Sequence, residues 1–480
     1  MIDGLEAYAS FKDCGMSWAE KLPRHWKVER AKWLFRKMAR PTQVSDDVVT
    51  CFRDGTVTLR KNRRVRGFTE SIKEIGYQGV RKGDLVIHAM DGFAGAIGVS
   101  DADGKCSPVY AVCKPVKDVN PFFYAHVVRE MARTQWITAL AKGIRERSTD
   151  FRFDTFAAQL VPVPQKSEQD AIARFLDHAE RRIRRYIKAK RRLIALLNEQ
   201  KQAIIHRAVT RGLDPNVRLK PSGVEWLGDV PEHWQPVRLG RLVQVRTGFA
   251  FKSDGFSQSE NDVRLLRGIN VSTGRIRWDL VVRWPHADSQ QLGAFKLAVG
   301  DIVLGMDRPI VSGGTRVAML TKDDVPSLLL QRVACLRPRK NLDKSFLLLL
   351  LQSQRFADYL TPLFTGISVP HISPEQIEGF YFACPSRSQQ QYIVDKAHAE
   401  TAGVDALIGR CESEIGLLRA FAARLIADVV TGKLDVREAA AGLPDHADDH
   451  DPPDDADVLA ESNEQADDAD LEAMPEEVEA

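Results

Sequence analysis

The chain has 480 residues, 44% apolar and 28% charged, the balance of a water-soluble globular protein long enough for two to four domains. Its greasiest run, residues 346–351, falls far short of the roughly 18 apolar residues that a membrane span needs; the opening ten residues carry no apolar signal core, so a cytoplasmic location is expected. The formal charge of +3 conceals a division: residues 441–480 hold 16 Asp or Glu and no Lys or Arg, so the first 440 carry 68 basic against 49 acidic side chains, the profile of a nucleic-acid binder.

Residues 1–17 form an N-terminal extension. From 18 to 164 short β-like runs alternate with turns: 48–52 and 56–59 flank Asp54-Gly55 as a hairpin, 84–88 and 98–100 read as strands, and 121–140 as a helix. Pro162 and Pro164 end this texture, and no Pro or Gly occurs from Ser167 to Thr210. There Ile172, Leu176, Ala179, Ile183, Tyr186, Lys190, Leu193, Leu197 and Ile204 form a seam of coiled-coil type, predicting a helical spacer over 165–211 whose Pro- and Gly-free rod of about 44 residues is about 66 Å long. After a linker at 212–225, residues 226–385 return to mixed strands (265–271, 301–304, 316–320) and a helix from 344 to about 360. A second helical spacer spans 386–436, with Ile393, Ala397, Val404, Leu407, Cys411, Leu418, Phe421 and Leu425 at comparable spacing; Gly403, Gly409 and Gly416 make it the weaker helix alone. Residues 437–480 are an aromatic-free acidic tail of disordered composition. The seven cysteines include no Cys-x2-Cys pair and read as reduced thiols, with no metal site implied.

The chain also contains itself twice. Trp18-x4-Pro23-x-His25-Trp26 returns 208 residues later as Trp226-x4-Pro231-x-His233-Trp234, and Gly83-Asp84-Leu85-Val86 returns 217 later as Gly300-Asp301-Ile302-Val303. Pro164…Thr210-x2-Leu213-Asp214 returns 221 later as Pro385…Thr431-x2-Leu434-Asp435. A period this long marks a duplicated domain, not a solenoid, and the drift marks insertions in the variable part. The expected fold is α+β: two tandem globules joined by two long helices that pair as an antiparallel coiled coil, with an internal pseudo-two-fold repeat.

This ordered, doubled set of motifs resembles the DNA-specificity (S) subunits of Type I restriction–modification systems. The residues that carry it are the Trp-x4-Pro-x-His-Trp openings, the Gly-Asp-[Leu/Ile]-Val elements and the helix starts Pro164-x3-Glu168-Gln169 and Pro385-x4-Gln390-Gln391. The closings Val209-Thr210-Arg211-Gly212-Leu213-Asp214 and Val430-Thr431-Gly432-Lys433-Leu434-Asp435 complete it, over residues 18–436. The resemblance implies target recognition domains at 18–164 and 226–385, each reading one half of a split, asymmetric sequence in double-stranded DNA. The helices would act as a ruler and as the dock for two methyltransferase (M) subunits, with motor-nuclease (R) subunits completing the complex. It further implies that this chain is not an enzyme and binds no cofactor, S-adenosylmethionine, ATP and Mg being expected on the partner subunits. The acidic tail lies outside the family's pattern.

The bare chemistry agrees with a reader. The sequence holds no Gly-x4-Gly-Lys-[Ser/Thr] phosphate loop, no Gly-x-Gly-x-x-Gly and no His-Glu-x-x-His. Asp451-Pro452-Pro453 is followed by Asp454, where an adenine methyltransferase needs an aromatic residue to stack on the flipped base. His25 and His233 recur between Pro and Trp and read as turn formers. Two other classes stay open: a single-chain restriction–methylation enzyme with an unrecognised catalytic site, and a protein-binding scaffold.

Base reading needs Arg, Lys, Asn and Gln on loops, with phosphate contacts to hold register. In the first globule the candidates are Arg60, Lys61, Asn62, Arg63, Arg64 and Arg66, beside the predicted hairpin; in the second, Lys252, Arg264, Arg267 and Asn270, with Arg275 and Arg277 nearby. A Gly-containing loop sits at the same place in both copies, with Lys142, Arg145 and Arg147 in one and Ser368 and His371 in the other. On the first long helix Arg181, Arg182, Arg184, Arg185, Lys188, Arg191 and Arg192 crowd so closely that a polyanion or an acidic protein partner is expected. In the family picture that partner is the spacer DNA backbone or the methyltransferase. The tail reads either as a solvated end or as a DNA mimic screening the basic body. On the second reading, deleting residues 441–480 tightens non-specific DNA binding at low salt in a filter-binding titration, and an unchanged affinity dismisses it.

Overall fold

A computed structural model describes residues 5–444 apart from 64–74, 141–149, 213, 215, 312, 367 and 368. These residues divide into two units, one made of the chain up to 189 together with the chain from 413 on, the other of 190–412. The duplication read from the motifs is a duplication of fold. In the first unit an antiparallel sheet runs in the order Phe35–Lys37, Tyr110–Pro115, Leu85–His88, Ile97–Val99. In the second the order is Val243–Thr247, Val333–Pro338, Ile302–Gly305, Val317–Met319, the same arrangement in the same sequence of connections. Each unit adds an antiparallel pair that closes the domain: Lys27–Arg30 with Leu160–Val163, and Gln235–Arg238 with Tyr381–Cys384.

What differs lies in the insertions between these strands. The first unit carries the expected hairpin, Val49–Cys51 with Val57–Leu59. The second carries instead a three-stranded sheet in which Val263–Leu266 pairs in parallel with Ser327–Leu329. The predicted strand over 265–271 ends early, because Asn270 Oδ1 accepts the Arg267 N–H at 3.0 Å and turns Gly268–Asn270 into a 3-10 turn. Both domain helices are also shorter than their patterns. The first is Pro121–Arg133, interrupted at Gln135 with φ 62° before Trp136–Leu140; the second is Lys344–Gln352, interrupted at Ser353 before Gln354–Leu360. Thr134 and Ser353 bond their hydroxyls back to preceding carbonyls there, competing with the helical ladder.

Each repeated motif has a structural reason. Gly83 and Gly300 adopt φ of 88° and 86°, a region glycine enters without strain. The aspartate that follows each is buried, and its carboxylate accepts the backbone N–H three residues upstream: Arg81 at 2.8 Å on Asp84, Ala298 at 2.9 Å on Asp301. An arginine then neutralises it, Arg40 on Asp84 and Arg337 on Asp301. Gln169 and Gln390 do a second repeated job. Their Oε1 atoms accept the N–H of Asn120 at 2.8 Å and of Asp343 at 2.7 Å, the residues that cap the two domain helices. Their Nε2 atoms donate to Pro164 O and Pro385 O, each at 2.9 Å. One amide thus ties each long helix to its domain helix, whose inner face buries Phe123, Val127 and Met131 in one unit and Phe346, Leu347 and Leu350 in the other, about 1.5–3 kcal/mol per side chain.

The long helices run unbroken over Lys166–Arg211 and Arg387–Val430, the three glycines of the second notwithstanding. In the first unit Ile172 and Leu176 share a core with Leu425, Val429 and Val430. In the second, Ile205, Ala208 and Val209 share one with Ile393, Val394 and Ala397. Ion pairs Lys201–Asp405 at 2.6 Å and Arg207–Glu400 at 2.7 Å advance along one helix while retreating along the other, so the pairing is antiparallel, as the repeat required. Each helix closes on a left-handed glycine against a tryptophan: a Cβ on Gly212 would lie 3.3 Å from the Trp234 ring, and one on Gly432 would lie 3.0 Å from Trp26. The fold continues past the expected tail boundary at 437. Arg437–Ala441 is helical, Val436 and Ala440 are buried, and Arg174 donates to Leu443 O; the rest of the tail lies outside the described residues.

The glutamine locks predict a specific cost. Gln390→Ala leaves the Asp343 N–H and the Pro385 carbonyl without their partner in buried surroundings, at about 1–3 kcal/mol for each orphaned group. The urea midpoint of the full chain should fall accordingly, and Gln169→Ala should fall by a similar amount; a loss confined to one of the two would contradict their equivalence.

Candidate nucleic-acid interface

The loop that follows the Gly-Asp strand is placed alike in both units. In the first, Ala89 O accepts the Phe151 N–H at 3.0 Å; in the second, Met306 O accepts the Ile372 N–H at 3.0 Å. Phe151 and Ile372 lie just after the two Gly-containing loops that the sequence set in parallel. The structure therefore tethers the exit of each of those loops to the loop after the Gly-Asp strand. Lys142, Arg145, Arg147 and Ser368 lie outside the described residues. His371 is within them, exchanging backbone hydrogen bonds with Thr365 at 2.9 and 3.1 Å. Gly366 makes that turn possible: its φ is 96°, and a Cβ there would meet Val369 O at 2.4 Å.

An aspartate sits in each of these post-strand loops with cations around it. Asp91 pairs with Arg53 at 2.9 Å, and its own N–H donates to His88 Nδ1 at 2.9 Å. That bond makes Nδ1 an acceptor, and burial holds the His88 pKa below its ordinary value. In the second unit Arg332 approaches Asp307 to 3.9 Å. Burial raises the Asp307 carboxyl above the usual range, opposed by the nearby Arg332, His371 and Arg316 charges. Both arginines remain open to solvent, Arg53 at 58% and Arg332 at 57% side-chain exposure.

The second site is built on a strained frame. Arg308 and Arg332 hold φ of 43° and 67°, a region that costs a non-glycine residue about 1–3 kcal/mol. Arg332 O accepts the Met306 N–H at 2.9 Å, and the Arg308 N–H donates to Pro370 O at 2.7 Å. Beneath them the buried Arg316 guanidinium donates to Val271 O and Asp307 O, each at 2.9 Å, and to Gly268 O. One cation thus gathers three loop carbonyls, fixing the geometry that the two arginines require.

The other sequence candidates take varied positions. Arg60 bonds Thr50 Oγ1 at 3.3 Å, Lys61 forms an exposed pair with Asp47 at 2.5 Å, and Asn62 donates to Thr58 at 3.0 Å. Arg63 is turned inward, its side chain 8% exposed, paired with Asp54 at 2.8 Å and lying 4.4 Å over the Phe52 ring. Arg64 and Arg66 lie outside the described residues. Lys252 is exposed; Arg264 lies 4.4 Å over Trp278 and donates to Asp323 O at 2.6 Å; Arg267 donates to Leu280 O at 2.8 Å. Asn270 departs from the expectation of an exposed reader: it is 2% exposed, with Nδ2 donating to Arg277 O at 2.9 Å, so it organises its loop. On the first long helix Arg181 pairs with Asp177 at 2.5 Å and Arg184 with Glu180 at 3.4 Å, while Arg182, Arg185 and Arg192 are exposed and Lys188 and Arg191 partly so. Arg53, Arg332 and the two aspartates were not singled out by sequence. Arg53 adjoins the Asp54-Gly55 turn, the one local signal near it; Arg332 has none.

The family model of the Type I restriction modification DNA specificity domain matches residues 231–405. The chain is 28% identical over 278 residues to the Type I restriction enzyme MjaVIII specificity subunit of Methanocaldococcus jannaschii, covering 58% of this chain and 62% of that one. It is 36% identical over 184 residues to the Type I restriction enzyme EcoAI specificity subunit of Escherichia coli, covering 38% of this chain and 30% of that one. It therefore spans less than two thirds of the length of either relative. Its fold is similar to that of a chain solved in work on complex assembly and conformational transition of the type I R-M system, with TM-score 0.55 and 16% identity over 86% of this chain and 99% of that one. The specificity domain is thus matched in the second unit, the first unit repeats that unit's sheet order and helix locks, and the chain is similar in sequence to Type I restriction–modification specificity subunits.

Proposed function

We propose that the chain is the sequence-reading subunit of a Type I restriction–modification complex, each unit recognising one half of a bipartite, asymmetric target in double-stranded DNA. The observation that carries this reading is a shared frame with unshared insertions: one sheet order in both units, but different loops and different charged groups set on it. Equal frames give two equivalent ways of meeting a duplex, and unequal loops give two different half-sequences. The named relatives are specificity subunits, and the chain is proposed to act as they are named, without chemistry of its own. Two methyltransferase subunits and motor-nuclease subunits would carry the catalysis, with S-adenosylmethionine, ATP and Mg bound on them, in the cytoplasm.

Within this proposal the loop residues Arg60, Lys61, Lys142, Arg145, Arg147, Lys252, Arg264, Arg267, Ser368 and His371 supply base-edge and phosphate contacts, alongside Asn62, Arg64 and Arg66. Arg63 and Asn270 act through the loops that they hold. The cations Arg181, Arg182, Arg184, Arg185, Lys188, Arg191 and Arg192 meet an acidic face of a partner subunit or the backbone of the spacer DNA. Affinity should then fall steeply with salt, with a log–log slope of about −0.9 per phosphate neutralised.

The test is methylation profiling of cells that express the chain with its methyltransferase. A bipartite motif is expected, and replacing residues 18–164 by another domain of the same family should change one half of that motif alone. Changes in both halves, or a continuous motif, would overturn the assignment of one half-site to each unit.

A further inference from the structure

Both units place an exposed arginine beside an aspartate of the loop after the Gly-Asp strand, Arg53 hydrogen-bonded to Asp91 at 2.9 Å and Arg332 at ion-pair distance from Asp307, 3.9 Å, and they do so from different elements. Arg53 comes from the hairpin turn between Val49–Cys51 and Val57–Leu59. Arg332 comes from the bend between Ser327–Leu329 and Val333–Pro338, where its carbonyl accepts the Met306 N–H as the Val109 carbonyl accepts the Ala89 N–H in the first unit. A histidine attends each aspartate, His88 accepting the Asp91 N–H and His371 lying opposite Asp307 in an antiparallel bridge. The fold does not account for the pairing. An exposed ion pair contributes little to stability, and Arg332 holds a left-handed backbone that a glycine would adopt without strain.

The carboxylates decide what such an arginine is for. A cation placed to grip phosphate loses by having an acid beside it, since the acid repels the ligand. A guanidinium placed to read a base gains, because the acid fixes one part of the planar fork and leaves the other donors aimed outward. Resting on the reading that each unit meets one half-site, we propose that Arg53 and Arg332 are base-edge readers, each donating to O6 and N7 of a guanine in the major groove, with Asp91 and Asp307 as positioning residues. That acceptor pair is the commonest specific partner of arginine in duplex DNA.

The experiment uses the full chain co-expressed with its methyltransferase subunits, read by methylation profiling and by binding to cognate and random duplexes. The wild-type motif comes first: without a bipartite motif the function itself fails, and the two failures stay distinguishable. Arg53→Lys and Arg332→Lys keep the charge and lose the fork. Each should relax one G·C position in one half of the motif and weaken cognate binding roughly ten- to hundredfold, leaving the other half as it was. Asp91→Asn and Asp307→Asn should relax the same two positions. Arg332→Gly guards against a folding artefact: it should melt no lower than wild type and still lose its position. Unchanged preference at every position sinks the proposal. So does equal weakening on cognate and random duplex, which marks a phosphate contact instead.

Discussion

The direction in which each long helix leaves its domain rests on a single side-chain amide. Gln169 and Gln390 each use the two ends of one planar group, accepting from the residue that caps the domain helix and donating to the proline carbonyl that precedes the long helix. Only an amide does both; a glutamate at either position has no hydrogen to give the proline carbonyl, and an alanine reaches neither partner. The cap residues, Asn120 and Asp343, are themselves committed to the first turn of the domain helix. Orientation therefore passes from sheet to domain helix to cap to glutamine to long helix through a chain of hydrogen bonds, of which the links from glutamine to the proline carbonyl are buried. In such surroundings each bond is stiff and each omission costly.

The duplicated motifs were legible because each needs a particular chemistry that few residues supply: glycine for a left-handed turn, aspartate for a turn lock, glutamine for a two-ended bridge, tryptophan for a ring that the closing glycine can touch. Even the drift in spacing had its physical cause in the insertions between otherwise equivalent strands. The candidate interface is less legible. Density of basic residues drew attention to the run after the first hairpin, yet Arg63 in that run is buried on Asp54. Asn270 has a reader's chemistry and a buried position. Arg53 meets Asp91 and Arg332 meets Asp307 only through tertiary proximity, which leaves no periodic trace along the chain. The breaks in the two domain helices at Gln135 and Ser353 escaped for a related reason: the apolar pattern continues across them while the backbone does not.

The repeat is one of backbone and of a few locks, not of every side chain. In the first unit the buried Glu168 carboxylate accepts from the Trp26 indole at 3.0 Å and from Tyr8 at 2.5 Å, with His25 at 3.1 Å. Its place in the second half is taken by Gln389, whose Oε1 accepts from Ser386, and the Trp234 indole N–H has no partner among the described residues. Tyr8 belongs to the extension before the first domain, whose backbone at Glu6 pairs with Asp435. One unit therefore carries a buried polar network that the other does without, and the two faces are free to differ.

Each long helix ends in the unit opposite to the one in which it starts, its closing glycine lying on that unit's tryptophan. This has a consequence for biosynthesis. The first unit leaves the ribosome first but lacks Leu425, Val429 and Val430, which complete its core, until some 220 further residues have been translated. At about 5–20 residues per second that interval is roughly 10–45 seconds. During it the apolar flanks of Trp26, Ile172 and Leu176 await their partners, while the second unit can finish as soon as the middle of its second helix emerges. The half that is written first is the half that matures last.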